Sequence, residues 1–289
     1  SGNTYKYDEY KKFISIPLHQ YETEGKKPVI DDNSIIEFKD VWFKYPGTDR
    51  YILKNFNIKI YLNQKLCIVG ANGVGKTTFI KLLTRLYTPN KGEILLNGIN
   101  ISKYNYDEYL SLFTAAFQDS KDFKLSIAEN IALSADYSTD RLNRVCESID
   151  LLPLISKLPK GYNTQVGKWV DADGIDFSGG ELQKMTIARA EYHDSYVYLL
   201  DEPTAALDPL AEYEIYSQFN NMITDKCAIL VSHRLSAVQL ADKVAVFDNG
   251  SVAEYGTHQE LYSKGGIYTE MFDKQAQFYR DEVNTDVWS

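Results

Sequence analysis

An apolar run, Leu66-Cys67-Ile68-Val69, stops at Gly70 and opens into Gly70-Ala71-Asn72-Gly73-Val74-Gly75-Lys76-Thr77, which fits the pattern GxxxxGK followed by Ser or Thr. Nothing else in the 289 residues restricts the fold as strongly. A short apolar run ending at glycine is the pattern of a buried parallel strand. Thr77–Leu86 continues with helical spacing at Phe79, Ile80, Leu82, Leu83 and Leu86. Between strand and helix, glycines let backbone N–H groups converge on phosphate oxygens without a Cβ in the way. Lys76 brings positive charge to the β and γ phosphates, Thr77 offers a hydroxyl to Mg²⁺, and the helix N-terminus adds its dipole. The phosphate-binding candidates are therefore Gly70, Asn72, Gly73, Val74, Gly75, Lys76, Thr77 and Thr78.

This loop implies a nucleotide hydrolase or a kinase without separating them. A second apolar run, Val197-Tyr198-Leu199-Leu200, ends in Asp201-Glu202. Carboxylates at the C-terminal end of a strand lie beside the phosphate site of an open α/β sheet. Asp201 is placed to hold Mg²⁺, and Glu202 to polarise the water that attacks the γ-phosphate. Further strand runs are expected at Ile36–Phe38, Val41–Phe43, Asn55–Ile60, Ala228–Val231 and Val244–Phe247, with a hairpin at Asn97-Gly98. Residues 120–190 read as mainly helical, an insertion into a parallel sheet with helices on both faces. Asp8–Phe13 could be a helix end, within a polar stretch that otherwise reads as linker.

Phe177-Ser178-Gly179-Gly180-Glu181 precedes a helical run, Leu182 to Ala190, just upstream of the acid pair. A serine hydroxyl and two bare glycine amides at a helix start form a second anion site. Here the chain resembles the ABC ATPases, whose signature reads LSGGQ in this place. The resemblance covers residues 34–265. It implies a P-loop NTPase (RecA-like) α/β core with a mainly parallel sheet, an antiparallel β subdomain and a helical insertion subdomain. It further implies that Tyr45 stacks on adenine and that Gln118 reaches Mg²⁺ and the attacking water. His233 would contact the γ-phosphate, and Asp208 would act across a dimer. In the family, Ser178, Gly179, Gly180 and Glu181 would grip the phosphate bound to the other subunit. Metal ligands would be Thr77, Gln118 and Asp201; the catalytic set would be Lys76, Gln118, Glu202 and His233.

Two departures from the family pattern stand out. Phe177 and Glu181 replace the usual Leu and Gln of the signature, and Glu181 adds a negative charge beside a phosphate site. Exporters of the family read close to TEVGERG before the signature; here Thr164 to Gly174 is longer and Lys168 takes the Glu position. That stretch is similar to those of some bacterial peptide or bacteriocin exporters.

The resemblance implies a head-to-tail dimer of two identical ATPase domains around ATP. They would be attached to a transmembrane domain at the cytoplasmic face of the cell membrane. Residues 1–33 read as a tag remnant and a linker from that domain. Residues 34–118 and 191–265 read as the core with its β subdomain, 119–190 as the helical subdomain, and 266–289 as a C-terminal helix and tail. No run of 18 apolar residues occurs. A net charge of -9 and the lack of a basic run argue against nucleic acid as a partner. A soluble ABC ATPase acting on nucleic acid or ribosomes shares the same motifs and stays open, as does a module that senses ATP without hydrolysing it. Cys67, Cys146 and Cys227, with no CxxC pair among them, read as reduced and buried. His19, His193 and His258 read as surface or packing residues.

Overall fold

The computed structural model of the protein describes residues 25–117, 123–168, 171–201, 219–220, 223, 226–232 and 235–285. Asp8–Phe13, Gln118, Glu202, Asp208 and His233, singled out above, lie outside the described residues, as does the side chain of Asp201.

The chain begins with β1 (Ile35–Phe43) and β2 (Leu53–Tyr61), an antiparallel pair. The two runs expected at 36–38 and 41–43 are one strand. Phe38 and Val41 are three positions apart, yet both are buried. Strict alternation would turn Val41 outward. A bulge at Asp40, in the left-handed region at φ 49°, turns it back to the core. Next come β3 (Lys65–Val69), the glycine loop, α1 (Lys76–Leu83), β4 (Lys91–Leu96) and β5 (Ile99–Asn100). The β4–β5 turn is the expected hairpin, with Asn97 at φ 51° and Gly98 at φ 77°.

After α2 (Tyr106–Leu110) and β6 (Phe113–Phe117) the chain turns helical: α3 (Ile127–Ala132), α4 (Thr139–Ser148), α5 (Leu152–Ile155) and α6 (Gly179–His193). It returns through β7 (Val197–Asp201), β8 (Cys227–Val231), α7 (Leu235–Gln239), β9 (Lys243–Asp248) and β10 (Ser251–Gly256). It ends with α8 (His258–Lys264) and α9 (Ile267–Thr285). Among the described residues no helix is long and apolar enough to cross a membrane.

The described residues form two sheets, one antiparallel in the order β2-β1-β4-β5 and one in the order β10-β9-β3-β8-β7-β6, parallel except for β10. Alternation along the parallel strands sorts their side chains between two cores. Leu66, Ile68, Leu199, Ile229 and Phe247 join the core under the antiparallel sheet, with Phe79 and Leu82 of α1. Cys67, Val69, Leu200, Leu230 and Val246 join the other core, with Ile127 of α3, Leu142 of α4 and Met185 of α6. Both faces of the sheet are thus covered, which is why its strands read as continuous apolar runs.

Candidate nucleotide site

The register brings the C-terminal ends of three strands together: Ile68 of β3 pairs with Val231 of β8, and Val231 pairs with Asp201 of β7. Asp201 is thus placed two strand spacings, about 10 Å, from the strand that enters the glycine loop. Past the end of β8 the Ser232 N–H donates to the Ile68 carbonyl at 3.1 Å, so the chain leading to His233 leaves from the same edge.

Two glycines of the loop are required by the fold itself. Gly70 has φ 151°, and a Cβ there would collide with the Phe247 carbonyl oxygen. Gly75 has φ 111°, and a Cβ there would stand 2.6 Å from Leu53 Cδ2. The turn they permit delivers the backbone into α1, whose N-cap is Gly75 itself; it has no capping side chain and no acidic residue in the first turn. By contrast α3, α6 and α8 each close their first turn with a Ser or Thr and a Glu three residues on. The uncapped amides of α1 and its dipole suit an anion.

Lys76 is 7% exposed. Its ammonium donates to the carbonyls of Gly70 at 2.8 Å and Ala71 at 3.2 Å, which holds the charge over the loop. Thr77 is exposed at the helix start, and Thr78 is buried behind it. Among the described residues no group of three or more His, Cys, Asp or Glu gathers to hold a metal. Asp201 and Thr77 are of the residue types that would hold Mg²⁺ beside phosphate oxygens and waters.

Tyr45 lies against this loop. Its hydroxyl is 3.0 Å from that of Thr78, and its ring meets Phe43 and Tyr87 edge-on at 5.1 and 5.2 Å. The Lys81 ammonium lies over the ring at 5.5 Å. Thr78, Lys81 and Tyr87 had no place around Tyr45 in the sequence reading.

Sequence reasoning also missed Asn130, fully buried in α3. It accepts from the Phe123 N–H and donates to the carbonyls of Phe123, Leu125 and Ser126. Arg189 of α6 donates to the Asn130 carbonyl at 2.8 Å, which ties the signature helix to the segment that follows the Gln118 region. The Ser126 hydroxyl and N–H cap Glu129 and hold its carboxyl below the usual carboxylate range. The Ser-x-x-Glu spacing at 126–129 was the signal available for this helix start.

At the signature, Ser178 is the N-cap of α6 and Gly179 and Gly180 are exposed in its first turn. A Cβ on either glycine would meet none of the described residues within 4 Å. Phe177, the departure from Leu, packs its partly buried ring against the core shared with α4 and α6.

A strand, a glycine loop with a buried lysine and an uncapped helix, with an acidic strand end beside them, define a P-loop nucleotide-binding domain. The family model described as "ABC transporter" matches residues 53–205, and the chain belongs to that family. It is 38% identical over 264 residues to the subtilin transport ATP-binding protein SpaT of Bacillus subtilis, covering 90% of this chain and 43% of that protein. It is 35% identical over 265 residues to the ATP-dependent lipid A-core flippase of Haemophilus influenzae (strain 86-028NP), covering 91% of this chain and 44% of the flippase. A solved bacterial Atm1-family ABC exporter with ATP bound superposes with a TM-score of 0.80 at 32% identity, over 93% of this chain and 47% of that one. The chain thus spans less than half the length of these relatives. It is an ATP-binding, ATP-hydrolysing domain of the exporter type, and the comparisons favour that reading over a nucleic-acid ATPase.

Proposed function

We propose that this domain powers export across a membrane by closing in pairs around Mg-ATP. Two copies of the chain meet head-to-tail. Each site combines Tyr45, Lys76, Thr77, Gln118, Asp201, Glu202 and His233 of one copy with Ser178, Gly180 and Asp208 of the other. Glu202 orients the attacking water, and Lys76 and His233 stabilise the charge that develops on the γ-phosphate. Thr77, Gln118 and Asp201 would hold Mg²⁺, which would further neutralise the phosphate oxygens. A transmembrane partner at the cytoplasmic face of the membrane receives the motion through the helices of 120–175. The cargo class we favour is a peptide, on the similarity of the 164–174 stretch to peptide exporters.

One observation supports the composite site above the others. Gly179 and Gly180 sit in a helix with open space where a Cβ would be. Glycine favours a helix less than alanine does, and no described residue packs where their Cβ atoms would lie. Their use is for something that approaches the bare amides from outside. The test is the Mg-ATPase rate against protein concentration, for this chain and for Glu202→Gln. A rate rising faster than linearly, with a Glu202→Gln variant that is inactive but dimerises on ATP, is expected. A Glu202→Gln variant that keeps most of the activity removes Glu202 from its role.

A further inference from the structure

The two helix starts assigned to phosphate in this chain are built differently. The first turn of α1 carries no acid, whereas that of α6 carries Glu181. The Glu181 carboxylate turns back onto Ser178: the Ser178 N–H and the Ser178 hydroxyl both donate to Glu181 Oε2, each at 2.8 Å. In return the Glu181 N–H donates to Ser178 Oγ at 3.4 Å. A serine hydroxyl has one proton to give, and a carboxylate can only accept. The proton that a phosphate would take from Ser178 is therefore already committed inside the chain. The same box recurs at Ser126–Glu129 and Thr257–Glu260, helix starts to which no phosphate is assigned, so local backbone geometry suffices to set it.

We propose that Glu181 is a latch on Ser178 that opposes closure of the composite site. It is a positioning residue, and its effect rests on the reading of Ser178 and Gly180 as ligands of the phosphate held by the second copy. That phosphate gains the Ser178 hydroxyl only when Glu181 gives it up. Throughout its approach it also meets a like charge 2.8 Å from that hydroxyl, at the helix start where the dipole would otherwise attract it. Glutamine at this position keeps an acceptor for the box and removes the charge.

The experiment is ATP-driven dimerisation followed by light scattering in the Glu202→Gln background, with and without Glu181→Gln. Glu181→Gln is expected to lower the protein concentration at half-dimerisation about tenfold, with the gap shrinking as salt is raised to about 0.5 M. With Glu202 intact, the same change lowers KM for ATP more than it alters kcat. The melting temperature stays in place because the box keeps its acceptor. An unchanged midpoint with unchanged salt dependence overturns the latch and leaves Glu181 as a helix cap alone. Gly180→Val, whose Cβ would meet no described residue within 4 Å, separates this from the underlying reading. If it abolishes dimerisation while Glu181→Gln does nothing, only the latch is lost. If Gly180→Val also dimerises normally, the composite site itself is wrong.

Discussion

The hydroxyl of Tyr45 stands 3.0 Å from the hydroxyl of Thr78, which ties the aromatic assigned to adenine to the first turn of the helix assigned to phosphate. Base stacking on a ring contributes about 1–3 kcal/mol, whereas one hydroxyl pair contributes about 1 kcal/mol. Tyr45→Ala is therefore expected to raise KM for ATP roughly tenfold. Tyr45→Phe keeps the ring and should leave KM within about twofold. Nucleotide titration of both variants checks this, and equal KM values for Tyr45→Ala and the parent would sink the stacking role.

Glycines of the two turns assigned to phosphate should respond in opposite ways. Gly70→Ala forces a Cβ into the Phe247 carbonyl at a backbone angle that side chains avoid. It should cost at least about 2 kcal/mol and abolish nucleotide binding. Gly179→Ala meets no described residue and should leave the fold at least as stable while weakening ATP-driven dimerisation. Thermal melts paired with light scattering read both effects. A destabilised Gly179→Ala would contradict the open space seen there.

Glu254 of β10 is 8% exposed, and its carboxylate accepts from the N–H groups of Ile267 and Tyr268 at the start of α9. Replacement by alanine orphans two amides at once. A loss of about 2–3 kcal/mol is expected, with faster amide exchange at Ile267 and Tyr268. Exchange rates identical to the parent would show that α9 does not depend on this cap.

Burial pushes the Cys67 and Cys227 thiols up to about 12 from the ordinary 9.0. Below pH 9 both states keep these thiols protonated and the stability is whole. As pH rises the unfolded chain ionises first, so each thiol removes about 1.4 kcal/mol of stability per pH unit until its folded value is reached. Melting temperatures should fall from about pH 9 upward, and Cys227→Ala should flatten the slope. At neutral pH neither thiol should react with an alkylating reagent until the protein unfolds. Modification of the native protein at neutral pH would contradict their burial.

Much of the core was legible because its signals are local. The run from Leu66 to Val69, the loop to Thr77 and the helical spacing after it lie within about twenty residues, and each apolar face follows from backbone period. The Asn97-Gly98 turn was legible for the same reason. β10 was not, because its inward position is a carboxylate, which counts against a buried strand until the amides of α9 are in view. β1 looked like two pieces because the bulge at Asp40 interrupts the alternation on which the reading relies.

The sequence alone determined the phosphate loop, the alternation of strands and helices, and the positions of Asp201 and the signature, since each is written in contiguous residues. Only the tertiary structure decided which partners those residues meet: Tyr45 with Thr78 across 33 positions, and Arg189 with Asn130 across 59. It also decided that Gly70 is held by its own fold whereas no described residue crowds Gly179 or Gly180. The physical reason is that a glycine looks the same in sequence whether its missing Cβ makes room for a neighbouring strand or for a molecule from outside. Packing distinguishes the two.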